Sequence, residues 1–160
     1  MTINKIVLFV SSAFGAGYIK HMPGTFGGLV GILLWVLFVP DMCAFQFLSL
    51  ITISVVSILF SSWAEKIYGK KDDQRIVIDE VAGSWFAVAF LPKTFIFLFL
   101  GFLLFRVFDI SKFWFIKNLQ NVKGGLGVTI DDVVAGVFAN VMLRFVLLVW
   151  SLLILQFLNI

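Results

Sequence analysis

Two pairs of adjacent carboxylates occupy matching places in apolar stretches of the chain. Asp79 and Glu80 occur in IVIDEVAGSW, and Asp131 and Asp132 occur in VTIDDVVAG. Each pair follows an isoleucine and precedes a glycine by about one helical turn, so a partner helix could approach the carboxylates closely. Acidic residues at a helix start can also be purely structural, as caps that complement the helix dipole. Two near-copies in a chain with nine acidic residues favour a functional site.

A third group of charged residues occurs in the stretch FRVFDISK. Arg106, Asp109 and Lys112 are spaced three apart and would share one face of a helix. The structural interpretation is an ion pair between Arg106 and Asp109, with Lys112 extended toward the membrane surface. Together with the acidic pairs, the group indicates a mixed site in which carboxylates hold a metal ion and the cations receive phosphate.

The predicted metal is Mg²⁺, which prefers hard oxygen ligands and is usually bound by a few carboxylates together with substrate phosphate oxygens. The candidate ligands are Asp79, Glu80, Asp109, Asp131 and Asp132. Without a cation, converging carboxylates would repel one another. Softer metals are disfavoured because nitrogen or sulfur ligands could come only from His21 and Cys43.

Two glycine-bearing loops, 15–25 and 123–127, precede predicted helices. Backbone N–H groups at a helix N-terminus can bind phosphate, and Gly24 and Thr25 are the candidate residues there, with Thr25 adding a hydroxyl. Such loops are usually plain turns, and neither has the Walker A spacing.

The sequence lacks the residue patterns that other phosphatase mechanisms use. Cys43 has Ser49 instead of an arginine at the sixth following position, and His21 has no second histidine to accompany it. The chain also lacks an Asp-x-Asp-x-Thr run. Metal-assisted attack by water, or by one of the carboxylates, remains.

The composition indicates a membrane protein. Of the 160 residues, 61% are hydrophobic and 13% are charged, which is far outside the range of soluble domains. The sequence predicts one all-α domain over residues 1–160, a multispanning helical bundle with about four to five membrane helices, some of them short. The predicted helical segments are 24–39, 43–64, 76–91, 94–110 and 131–158. The N-terminal stretch resembles a signal peptide superficially, but further apolar segments follow, so we do not expect cleavage.

The basic residues predict the orientation of the bundle. Tight breaks at Pro40 and Pro92 favour helix hairpins, which brings the longer charged loops to one membrane face. That face collects Lys5, Lys20, Lys66, Lys70, Lys71, Arg75, Lys112, Lys117 and Lys123. The opposite face has Lys93, so the positive-inside rule predicts that the crowded face is cytoplasmic. Because the basic residues are dispersed, nucleic acid is not an expected partner.

Four stretches in order, PGTFGGLVG, IVIDEVAGSW, FRVFDISK and GGLGVTIDDVVAG, resemble the phosphatidylglycerophosphatase A family over residues 15–143. The resemblance implies a Mg²⁺-dependent enzyme of the bacterial inner membrane. Such an enzyme would convert phosphatidylglycerophosphate to phosphatidylglycerol and phosphate, with its site facing the cytoplasm. Asp79, Glu80, Asp131 and Asp132 would be catalytic and, with Asp109, would bind the metal. Arg106 and Lys112, with Gly24 and Thr25, would bind the substrate.

The chain departs from this family at two places. Phe113 and Phe115 stand where the family commonly has prolines, and Gly28 stands where it has a hydroxyl residue. Neither change removes a carboxylate, so the departures concern loop conformation and substrate preference.

The alternative function is a divalent metal-ion transporter or channel, because buried carboxylates also line cation paths. A conduction path needs polar groups through the full membrane thickness, whereas these acids gather at one face. Arg144 is the exception in the apolar half, and the sequence assigns it no role. The number of metal ions and the oligomeric state also stay open.

Overall fold

The computed structural model describes residues 2–111 and 124–157, and every regular element within them is helical. The helices are α1 (Ile3–Ser11), α2 (Pro23–Phe38), α3 (Cys43–Tyr68), α4 (Ile78–Val88), α5 (Phe95–Ser111) and α6 (Gly125–Phe157). A short 3-10 turn, Ala16–Tyr18, connects α1 to α2. The all-α prediction is confirmed, and the five predicted segments correspond to α2 through α6.

Two helix boundaries differ by four residues or more from the sequence prediction. Helix α3 continues past Ala64 to Tyr68 and ends at Gly69, whose left-handed backbone (φ 67°) lets its N–H donate to the Glu65 carbonyl at 2.9 Å. Helix α6 begins at Gly125 instead of Asp131, because the Gly125 N–H donates to Ser62 Oγ at 3.0 Å. The second acidic pair therefore lies well inside its helix.

Helix α4 is the centre of the bundle and packs against α2, α3, α5 and α6. Most of its residues are buried, and its small side chains let neighbouring backbones come close. At the closest approach, a Cβ on Gly136 of α6 would overlap the carbonyl oxygen of Gly83. The glycine that follows each acidic pair therefore brings α4 and α6 together, as the sequence pattern predicts.

Two helices, α3 and α6, are long and apolar enough to cross a membrane by length and composition. Among the described residues, the other helices do not pass this criterion, and α2 is a shorter apolar helix. The sequence predicts about four to five membrane helices, and two of the described helices meet this criterion.

The end of the bundle away from the acidic pairs is held by side chains that satisfy helix carbonyls. Arg144 donates from Nη2 to the Phe90 carbonyl at 2.9 Å and from Nε to Asn140 Oδ1 at 2.7 Å. Asn140 in turn donates to the Ala89 carbonyl at 2.9 Å. Because these carbonyls follow the last turn of α4, where the helix dipole is negative, Arg144 stabilises the end of that helix. This is the account of Arg144 that the sequence did not provide.

At the other end, the 69–77 segment is held by an ion pair between a partly exposed arginine and a buried aspartate. Arg75 donates from Nε to Asp73 Oδ1 at 2.7 Å and from Nη2 to Asp73 Oδ2 at 3.0 Å. These hydrogen bonds from the guanidinium lower the pKa of the Asp73 carboxyl below its ordinary value. The same guanidinium lies 3.7 Å above the Tyr68 ring, so it also connects the segment to the end of α3.

Candidate metal and phosphate site

Three carboxylates converge where α4 meets α6. Asp79 and Glu80 come from the first turn of α4 and Asp132 comes from α6, and one oxygen of each lies within 4.8 Å of the other two. Asp79 and Asp132 are buried, each 5% exposed, and Glu80 is partly exposed. The convergence follows from the close contact of the two helices one turn further along, at their glycines.

Each of the three carboxylates has an oxygen that nothing in the described part of the chain satisfies. Asp79 Oδ1, Glu80 Oε2 and Asp132 Oδ2 are buried and accept no hydrogen bond from the described residues. A buried carboxylate without a partner is costly, and three together repel one another. A metal ion would supply the missing positive charge and the missing partners, so these residues fit a metal and could hold one.

Helix capping does not account for the two acidic pairs. Val77 is the N-cap of α4, and no side chain accepts a hydrogen bond in a cap there. Asp131 and Asp132 lie beyond the first turn of α6, where the backbone N–H groups already have helical partners. Side-chain capping therefore explains neither pair, although Asp79 and Glu80, in the first turn of α4, also complement the dipole of that helix.

Asp109 and Asp131 do not belong to the group of three converging carboxylates. Asp109 Oδ2 accepts from Arg106 Nη1 at 2.5 Å, which is the predicted ion pair. The Asp109 carboxylate also lies near that of Asp132, so the two negative charges repel each other. Asp131 is buried next to Asp132, but its oxygens do not belong to the group of three. Their roles as metal ligands stay predictions.

Arg106 and Gly24 meet beside Glu80, and Thr25 follows Gly24 in the first turn of α2. A Cβ built on Gly24 would overlap Glu80 Oε1 and lie 3.2 Å from Arg106 Nη1, so the absent side chain leaves room for both groups. Thr25 Oγ1 and Arg106 Nε are buried and have no hydrogen-bond partner among residues 2–111 and 124–157. Unused donors therefore lie next to the carboxylates, which is the arrangement that a metal-bound phosphate requires. Lys112, the other predicted cation, lies outside the described residues.

A cavity of about 540 Å³ borders this site. Its lining includes Lys20, Pro23, Lys70, Asp72, Gln74 and Glu80. Glu80 is thus shared between the cavity and the acidic cluster. The sequence treated Lys20 and Lys70 as determinants of membrane orientation, since their loops meet only in the folded chain.

The fold and the site together define a helical protein with a buried acidic cluster that could bind a metal. Hydrogen-bond donors that could bind a phosphate lie beside this cluster. The family model described as phosphatidylglycerophosphatase A matches residues 9–147. The chain belongs to the phosphatidylglycerophosphatase A family, and it is an enzyme of the phosphoric monoester hydrolase class. The family resemblance and the enzyme prediction drawn from the sequence are confirmed.

Individual relatives support the same assignment. The chain is 36% identical to phosphatidylglycerophosphatase A of Escherichia coli K12, with 87% of this chain and 82% of the relative covered. It is 33% identical to phosphatidylglycerophosphatase A of Haemophilus influenzae, with 94% and 93% covered. It is also 32% identical to a Bacteroides thetaiotaomicron protein provisionally named a phosphatidylinositol-3-phosphatase, with 85% and 90% covered. No solved structure matches the chain.

Proposed function

We propose that the chain is a Mg²⁺-dependent phosphatase that hydrolyses phosphatidylglycerophosphate to phosphatidylglycerol and phosphate. The observation that carries the proposal is the convergence of Asp79, Glu80 and Asp132, each with a buried oxygen that has no partner among the described residues. An all-oxygen ligand set suits a hard cation such as Mg²⁺. The relatives named phosphatidylglycerophosphatase A support this substrate.

In this proposal the chain's own residues bind and orient the phosphate. Asp79, Glu80 and Asp132 hold Mg²⁺, which when bound supplies Lewis-acid stabilisation of the phosphoryl oxygens. Arg106 donates to the phosphoryl group from Nε, which has no partner among the described residues, and Thr25 donates from Oγ1. The ion pair with Asp109 fixes the guanidinium in that direction. Asp131, and Lys112 from outside the described residues, remain further candidates.

The reaction breaks the phosphorus–oxygen bond of the terminal monoester. Water attacks phosphorus, the bond to the glycerol oxygen breaks, and that oxygen takes a proton to leave phosphatidylglycerol as the second product. Buried donors in fixed positions stabilise the charge that develops on the phosphoryl and leaving oxygens without reorganising during the step. Attack by a carboxylate is the variant mechanism, which would leave a phosphorylated side chain.

We also propose a multi-pass bacterial inner-membrane protein of about four to five membrane helices in one domain, with the site at the cytoplasmic face. The two long apolar helices and the bacterial relatives support a membrane protein. The orientation follows from the excess of basic residues in the loops near the site. An alkaline phosphatase fused after Lys93 should be active, and an inactive, stably expressed fusion would contradict the orientation.

The acidic cluster is tested by removing one charge at a time. Asp79→Asn and Asp132→Asn should each lower phosphate release from phosphatidylglycerophosphate by at least about 100-fold, because each removes a metal ligand. Asp41→Asn is the matched control, since Asp41 lies at the opposite end of the bundle, 3.2 Å from Lys93, and is 78% exposed. Full activity in both cluster variants would refute the assignment.

The transporter alternative predicts a different result from the same preparation. A metal-ion transporter would release no phosphate but would move divalent cations into liposomes. Wild-type protein that shows uptake without hydrolysis would favour it. Hydrolysis without uptake would exclude it as the function of this site.

A further inference from the structure

The cavity beside the acidic cluster combines one wall that belongs to the site with cations that have no assigned role. Glu80 contributes to both the cavity and the cluster, whereas Lys20 and Lys70 reach the cavity from two different loops. Asp72 and Gln74 complete its polar lining. With Glu80 committed to the metal, two ammonium groups and one carboxylate remain, so the lining favours an anion.

Lys20 and Lys70 are available to a ligand. In the part of the chain that the structure describes, neither ammonium lies within 4.0 Å of a carboxylate, whereas Arg75, Lys93 and Arg106 all form ion pairs. A lysine ammonium binds phosphate as a compact point charge and needs no fixed orientation of a planar group. The two loops therefore bring two positive charges to one cavity, and neither charge is paired with a carboxylate of the described residues.

The walls that carry these lysines are fixed by contacts on both loops. The Val77 N–H donates to the Ser11 carbonyl at 2.8 Å, which attaches the 69–77 segment to the end of α1. The hydroxyls of Tyr18 and Tyr68 lie 2.9 Å apart, which joins the loop before Lys20 to the end of α3 before Lys70. A Cβ on Gly17 would overlap the Arg75 carbonyl, so the two segments are in direct contact. The cavity is therefore a built feature of the fold.

We infer that Lys20 and Lys70 form a second anion subsite, which receives the phosphodiester of the lipid headgroup while the terminal phosphate lies at Asp79, Glu80 and Asp132. This inference rests on the proposed function. Phosphatidylglycerophosphate carries both groups, the monoester that is hydrolysed and the diester on the other side of the glycerol. A site with separate places for two phosphates selects lipids that have a phosphorylated headgroup over lipids with a single phosphate.

The two products allow the two places to be examined separately. Inorganic phosphate resembles the monoester and should compete at the acidic cluster, whereas phosphatidylglycerol retains the diester and should compete at the lysines. The test measures kcat, KM and both inhibition constants in mixed micelles of a nonionic detergent. The test variant is Lys20→Gln/Lys70→Gln, which keeps side-chain length and polarity but removes both charges.

We expect this double variant to raise KM for phosphatidylglycerophosphate and the inhibition constant of phosphatidylglycerol by about 10- to 20-fold, with each single variant giving about three- to fourfold. kcat and the inhibition constant of inorganic phosphate should change by less than about twofold. Lys66→Gln/Lys71→Gln is the matched control, because it removes the same charge from residues that border a neighbouring cavity, which Lys70 also lines, but not the cavity beside Glu80. It should behave like the wild type.

Three results would overturn the inference. The double variant could match the wild type in every constant, or it could weaken inorganic phosphate and leave phosphatidylglycerol unchanged, which would place the lysines at the monoester. The control could weaken phosphatidylglycerol equally, which would reduce the effect to general charge. In all three cases, phosphate release by the wild type would still support the proposed function. A wild type that releases no phosphate would contradict both the proposed function and the anion subsite.

Discussion

Gly24→Ala tests whether the start of α2 sets the positions of Glu80 and Arg106. A Cβ at residue 24 would overlap Glu80 Oε1 and lie 3.2 Å from Arg106 Nη1. Non-bonded heavy atoms in favourable van der Waals contact lie about 3.5 Å apart, so the carboxylate must move away by about 1 Å. A displacement of that size at a catalytic site can lower the rate about 100-fold, which is the decrease in kcat that we expect.

The stability of this variant should change much less than its activity. Alanine is the better helix former by about 1 kcal/mol, which offsets part of the cost of the overlap. Phosphate release from phosphatidylglycerophosphate in detergent micelles gives kcat, and thermal unfolding of the same samples reports stability.

Gly28→Ala is the matched control on the same helix. Its Cβ would meet Phe102 Cε2 at 2.8 Å, and the ring is partly exposed, so it can turn aside without moving a carboxylate. We expect kcat within about twofold of the wild type, as for substitutions away from a functional site. A Gly24→Ala variant with wild-type kcat, or a Gly28→Ala variant that is equally inactive, would refute the reasoning.

Further predictions concern three other charged residues. Arg106→Lys keeps the charge but loses the planar guanidinium, so kcat/KM should fall by about 10- to 100-fold while the melting temperature stays unchanged. Arg144→Gln removes the cation from the carbonyls after α4, so thermal unfolding should show a loss of about 1–3 kcal/mol with kcat nearly unchanged. Asp73→Asn weakens the contact with Arg75 and should cost about 1 kcal/mol at neutral pH, since the arginine is partly exposed. Because folding lowers the pKa of Asp73, this stabilisation is present above the unfolded-state pKa and is lost as the pH falls through the folded-state value.

Each of these predictions has an outcome that contradicts it. Wild-type kcat/KM in Arg106→Lys would contradict a role for the guanidinium in the site. A loss of kcat in Arg144→Gln at unchanged melting temperature would place that residue in the reaction instead of at a helix end. A stability difference between Asp73→Asn and the wild type that persists undiminished at about pH 3 would contradict the pH dependence, because the Asp73 carboxyl of the unfolded chain is then largely protonated.

The helices and the acidic candidates could be predicted because their signals are local. Apolar segments bounded by Pro40 and Pro92 identify helices regardless of their neighbours, and two near-copies of an acidic pair stand out in an apolar chain. The glycine one turn after each pair also predicted a close approach, which occurs between Gly83 and Gly136.

The remaining features depend on contacts between distant parts of the chain. Glycine-rich sequence disfavours a helix, yet α6 begins at Gly125 because that residue packs against α3 at Ser62. The rotation of α6 about its axis, which directs Asp132 and not Asp131 to the group of three, is set by packing. Lys20 and Lys70 share a cavity only after their loops meet.

The central claim is that Asp79, Glu80 and Asp132 hold a Mg²⁺ ion that phosphatase activity requires. The most direct measurement is phosphate release from phosphatidylglycerophosphate by chelator-treated protein while Mg²⁺ is titrated back. We expect no phosphate release without Mg²⁺ and recovery of phosphate release as Mg²⁺ is added. In Glu80→Gln, the half-saturating Mg²⁺ concentration should be raised about 10-fold or more. Undiminished release from the chelator-treated wild type, or the same Mg²⁺ dependence in Glu80→Gln as in the wild type, would contradict it.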